Sequence, residues 1–194
     1  MLADFDDETR AAANQSPTLL AQLEQLESDD WEIQRGASGS GSMANRRDKA
    51  ITIDSDVQGA QATGVIAHEA GHALHTLEPY VDPTGLTRPE YIERNVARHM
   101  KDEGAAQLNA AQVRQEVLSA GGADTGIPGA NTAQYQRSHD DFRNGTITRE
   151  QAVNQMASTM GKEQTSTTGQ TYADYYGDTY GNHYDELYGT GAVS

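Results

Sequence analysis

The chain has 194 residues, 36% of them hydrophobic, with 19 glycines, no cysteine and a formal charge of −15; its length suits one domain with a modest core. The lack of cysteine excludes a disulfide framework and thiolate metal ligands. The acidic balance disfavours nucleic acid, whose phosphates are bound by Lys and Arg displacing counterions, and suits a basic partner or substrate.

Residues 1–15 read as a mobile acidic opening segment, without the basic and apolar regions of a signal peptide. Ser16-Pro17 reads as the N-cap and first position of a short amphipathic helix, with Leu19, Leu20, Leu23 and Leu26 at helical spacing. Trp31–Gln34 and Ile51–Asp54 alternate apolar and polar residues, which predicts two strands. The Gly-Ser run Gly36–Ser42 between them is expected to be a flexible loop, with the strands joined as one hairpin. An exposed edge in that sheet can pair with an extended peptide, or simply remain an edge.

Val65–His75, V-I-A-H-E-A-G-H-A-L-H, is the stretch with the clearest chemistry. On a helix His68 and His72 stand one turn apart on one face, with Glu69 on its shoulder, so two imidazoles can hold one cation beside a carboxylate. Ile66, Ala67, Ala70, Ala73, Leu74 and Leu77 gather on the far side of the wheel, while Gln61, Gly64, His72 and His75 fall near His68. Gly71 is expected to leave the cleft face unobstructed. Pro79, Pro83 and Pro89 end this helix.

From Pro89 to about Ala120 the pattern predicts a long helix, stopped by Gly121-Gly122. Glu103 falls within its apolar stripe of Ile92, Val96, Met100, Ala110 and Val117. A carboxylate there is costly unless paired or bound to metal. Glu103 is therefore the expected third metal ligand, against a salt bridge to an arginine, and Gln107 one turn on is placed to orient a ligand. His99 and His75 are rivals for the third position. No run of roughly 18 apolar residues suggests a membrane span.

Asn131–Phe142 admits a short helix. Thr148 and Gln151 have capping-box spacing before an apolar stripe of Ala152, Val153, Met156, Ala157 and Met160, closed by Gly161. The tail Thr171–Tyr188 repeats tyrosine at 172, 176, 180, 184 and 188. It is either a packing face or a segment closing the site, with Tyr176, Tyr180 or His183 donating to a developing oxyanion.

Two histidines and a carboxylate leave Zn²⁺ an open position for water, and Glu69 is placed to take the proton as that water attacks a carbonyl. The expected activity is a zinc metalloprotease acting on a protein or peptide. H-E-A-G-H with the downstream D-E-G-A-A-Q resembles the gluzincin pattern, in which His68, His72 and Glu103 match the ligands and Glu69 the base. Gln107 departs from the usual Asp. From about Trp31 to Tyr188 the chain also resembles metallopeptidase domains at the C-termini of bacterial polymorphic and Rhs-type toxins.

The resemblance implies an α+β, mainly helical, zincin-like fold: a small sheet or hairpin, an active-site helix and a long helix carrying the third ligand. It further implies a domain delivered by a larger secreted carrier, for example through type VI secretion, and neutralised by a cognate immunity protein. A cytoplasmic protease is the alternative location. A peptidoglycan amidase or endopeptidase using the same zinc site, and a non-enzymatic binding module on a degenerate zincin fold, are the alternative functions.

Overall fold

A computed structural model describes residues 1–165 and 168–189, in an α+β arrangement dominated by helix. The opening residues are not a mobile segment. Asp6 caps helix α1 (Asp7–Asn14) by accepting from the Thr9 N–H at 2.8 Å, and Thr9 also donates its hydroxyl to the Gly59 carbonyl at 2.9 Å. Phe5, Ala12 and Ala13 enter the core. The acidic composition hid a cap and three apolar anchors.

Helix α2 (Pro17–Ser28) starts as the sequence indicates, with the Ser16 hydroxyl accepting from the Leu19 N–H. Leu19, Leu23 and Leu26 are buried, while Leu20 faces out. Glu116, a hundred residues on, accepts from the Ser16 and Thr18 hydroxyls and the Thr18 N–H. One carboxylate thereby satisfies free donors at the α2 N-terminus.

The sheet has three strands in the order β1-β3-β2: β1 (Glu32–Arg35), β2 (Met43–Asn45) and β3 (Ala50–Ile53). The two strands expected from the sequence pair in parallel, Ile33 opposite Ile51 and Arg35 opposite Ile53, so they are not a hairpin. The chain reverses through the Gly-Ser loop, runs back as β2 and returns as β3 between the other two. The hairpin is β2–β3, with Ala44 opposite Ile51. Met-Ala-Asn is too short and too little alternating to announce a strand. As β3 is central, β1 and β2 are the two edge strands of the sheet.

Helix α3 (Gly59–Leu74) carries the His-Glu motif, and α4 (Arg88–Ser119) is the long helix it packs against. Thr87 and Glu90 form a capping box at the start of α4, and Pro89 lies in its first turn. Helices α5 (Thr132–Arg143), α6 (Arg149–Met160) and α7 (Tyr172–Tyr188) follow; α3, α6 and α7 all pack on α4. No helix among the described residues is long and apolar enough to cross a membrane.

Small residues let these helices approach. A Cβ on Gly71 would lie 2.8 Å from Ala106 Cα, so that glycine serves the α3–α4 crossing and not the cleft face. Gly104 does the same for α6: a Cβ there would meet the Val153 carbonyl oxygen at 2.2 Å. Asn109 ties the first crossing, donating to the Ala67 carbonyl at 2.6 Å.

Gly104→Ala tests this arrangement. Helix propensity favours alanine by about 1 kcal/mol, whereas overpacking against main chain costs about 1–3 kcal/mol. The expected result in urea denaturation is a net loss of stability.

Candidate metal centre

The α3–α4 crossing sets the site. His68 and His72 lie one turn apart on α3, and Gly71 between them allows α4 close enough to bring Glu103 up to both. His68 Nε2 and His72 Nε2 are 3.1 Å apart, and Glu103 Oε2 lies 3.6 and 3.5 Å from them. Ligand atoms about 2.05 Å from a tetrahedral zinc ion stand about 3.3 Å from one another, so this triangle matches three corners of such a site. The donor set, two imidazole nitrogens and one carboxylate oxygen, is one that zinc accepts. His68, His72 and Glu103 therefore fit a divalent cation.

All three side chains are largely shielded from solvent. Glu103 makes no ion pair with an arginine among the described residues; the groups facing its carboxylate are the two histidines. Burial raises its pKa, but the histidine hydrogen bonds and charges outweigh that and hold it well below the usual carboxylate range. Glu69, only 6% exposed, behaves oppositely. Burial pushes its pKa up, against the two histidines and the Ala44 main-chain N–H of β2, which suits a proton acceptor.

Gln107 does not orient a ligand. It is fully buried and donates to the Pro128 carbonyl at 2.8 Å. The group in that role is Asp102, whose Oδ2 lies 2.9 Å from His72 Nδ1. Arg46, just past β2, donates to both Asp102 oxygens at 2.8 and 3.0 Å and also to the His72 carbonyl. A carboxylate on Nδ1 fixes the ring so that Nε2 faces His68 Nε2 and Glu103 Oε2. His68 Nδ1, by contrast, is buried without a hydrogen-bond partner among the described residues.

A cavity of about 330 Å³ opens over the cluster. Its walls come from Ser42, β2 (Met43, Ala44), Arg46, α3, α4, Met160 and α7. Of the expected C-terminal donors, Tyr176 reaches this cavity, with its hydroxyl donating to Glu103 Oε1 at 3.1 Å. Tyr172 lines it too. Tyr180 lies behind, its hydroxyl 2.6 Å from His99 Nδ1. His183 is exposed, near the Tyr80 and Tyr91 rings, and does not line the cavity.

The two rival histidines separate. His75 is where α3 ends, its ψ of 129° taking the chain out of helix and its ring into a neighbouring cavity. His99 lines the metal cavity and stacks on Tyr176, with ring centroids 4.3 Å apart. Burial pulls its pKa down, which favours a neutral ring. Asp102 and Arg46 escaped the sequence reading; the only signal was the pair Asp102-Glu103 on a helix whose inward face was already marked.

Comparison of the chain with protein-family models, curated proteins and solved structures gives no match.

Two outcomes follow from the geometry. Asp102→Ala lowers zinc affinity by about 10- to 100-fold, as loss of a carboxylate behind a ligating histidine does, measured by competition with a chromogenic chelator. Protons also compete with the ion. In the ion-free protein burial lowers the His72 pKa, but Asp102, Glu103 and Glu69 outweigh it and push it from 6.5 up to about 10. The charged His72 thus stabilises the ion-free fold below pH 6.5, and that contribution is lost as pH rises through about 10. Zinc must displace this proton, so apparent affinity rises about tenfold per pH unit between roughly pH 7 and 9, with proton release visible by calorimetry in buffers of different ionisation enthalpy.

Proposed function

We propose that the chain is a zinc-dependent metallopeptidase with a zincin-like site of gluzincin type. The observation that carries this reading is the buried triangle of His68, His72 and Glu103, with the protonatable carboxylate of Glu69 beside it and an open strand edge across the cavity. His68, His72 and Glu103 would hold the ion; when bound, zinc supplies a Lewis acid that acidifies water and polarises a carbonyl.

The chain's own groups supply the rest. Glu69 accepts a proton from the attacking water and returns it to the leaving amine, a role aided by the raised pKa that burial gives it. Tyr176 holds the second oxygen of Glu103, which leaves Oε2 for the ion. Burial and the Glu103 charge raise the Tyr176 pKa, so the phenol stays protonated and remains a donor. Tyr180 is likewise kept protonated by burial, with its hydroxyl 2.6 Å from His99 Nδ1; in the tautomer in which Tyr180 donates, the His99 proton sits on Nε2. His99 is then the donor assigned to the developing oxyanion. The free edge of β2 holds an extended peptide through main-chain hydrogen bonds.

The resemblance to polymorphic toxin domains extends the proposal to an antibacterial effector delivered by a carrier and held in check by an immunity protein. Glu69→Gln tests both levels. It keeps one zinc per chain and the fold, and lowers peptide hydrolysis by about 10²- to 10⁴-fold, the range for loss of a general base. In bacteria expressing the chain it abolishes growth inhibition. Undiminished killing by this variant would refute proteolysis as the cause, and release of fragments from purified sacculi by the parent would move the substrate to peptidoglycan.

A further inference from the structure

Asp54 follows β3 and lies outside the metal cavity, yet it is only 7% exposed. No salt bridge pairs it among the described residues. Its carboxylate instead gathers main-chain N–H groups: Gly39 and Asp56 on Oδ1 at 3.1 and 2.9 Å, and Gly41 on Oδ2 at 2.8 Å. Its own N–H donates to the Ser42 hydroxyl at 3.0 Å.

These contacts organise the Gly-Ser loop, which composition alone describes as flexible. Gly39 and Gly41 have φ of 72° and 75°, a left-handed conformation that glycine adopts without strain. At those angles both N–H groups can turn onto one carboxylate. A bare loop of this composition would sample many conformations, so an anion that collects two of its N–H groups and the next serine selects one. On the other side of the turn, Arg35 donates to the Asp54 and Val57 carbonyls at 3.3 and 2.6 Å, which holds the turn against β1.

The gathered loop runs straight into the cavity wall. Ser42, Met43 and Ala44 line it together with Glu69. Only β3 pairs with β2, and with just three residues β2 has little ladder of its own to fix it.

The geometry points to Asp54 as a positioning residue: by pinning residues 39–42 it sets the β2 edge at the distance from the metal cluster that an extended peptide requires. This rests on the metallopeptidase reading, and the two can fail separately. Asp54 touches none of the ligands and no group that reacts. Its effect reaches the cleft only through strand position.

The test uses the zinc-loaded full chain and two probes. Acetohydroxamate needs the ion alone, whereas a tripeptide hydroxamate needs the ion and the strand edge together. Asp54→Ala is expected to weaken the tripeptide hydroxamate about tenfold by loss of pre-organisation, to leave acetohydroxamate unchanged, and to raise amide exchange in residues 37–45 but not in α3. Asp54→Asn, which keeps one acceptor oxygen, should fall between. Equal weakening of both probes, or wild-type affinity for both with unchanged exchange, overturns the proposal. If the parent binds one zinc and neither probe, the metallopeptidase reading itself is at fault.

Discussion

The close crossing of α3 and α4 is the constraint on which the rest depends. A carboxylate on one helix reaches two imidazoles on another only if the main chains nearly touch. Gly71 against Ala106 provides that contact, and Asn109 locks it by bonding the Ala67 carbonyl. Gly104, next to Glu103, then brings α6 against the other side of α4. Glu103 is thus held by packing on both sides, with few side-chain rotations left to lose on taking up an ion. Bulk near Glu103 would separate the ligands before it disturbed their chemistry.

The charge balance follows from that geometry. Glu69, Asp102 and Glu103 are three buried carboxylates in a chain already strongly acidic, and Arg46 is the one guanidinium bonded among them. Buried carboxylates at such spacing repel and lose hydration, so they need compensating charge. Without an ion, the protons taken up by His72 and favoured on Glu69 supply it. A divalent cation would offset the two carboxylates that Arg46 leaves uncompensated, releasing protons as it binds. Metal affinity and proton uptake are two sides of one electrostatic demand in this cluster.

The sequence pointed to the His68, His72 and Glu103 cluster because helical periodicity ties distant letters to one face. His68 and His72 are a turn apart, and Glu103 stands in an apolar stripe where only a paired or ligating carboxylate belongs. The Ser16 and Thr148 caps were legible for the same local reason; the Thr87 cap was not read from the sequence. Nor was the sheet. Strand order depends on non-local pairing, and a three-residue strand inside a polar loop has no periodicity to display. Asp102 was missed because the expected partner of a ligating histidine was sought one turn after Glu103, whereas here it precedes Glu103 by one residue. Gln107 at the later position points instead to the loop after α4. Arg46 had no signal at all, since its role arises only when the β2–β3 turn meets α3 and α4.

Helix α7 shows how a repeat becomes a function of place. Tyrosines every fourth residue form one face, and that face lies along the first half of α4, anchored by the paired Arg88 and Asp185 and by Tyr184 on the Leu86 carbonyl. The repeat is uniform, but the surface beneath it is not. Tyr184 meets a loop carbonyl, Tyr180 meets His99, and Tyr176 meets Glu103. Moving down the helix one turn at a time, the same phenol passes from anchoring the helix to meeting a cleft histidine to bonding Glu103. The packing and site-closing readings of the tail are therefore not alternatives: the residues that fasten α7 determine where Tyr176 stands.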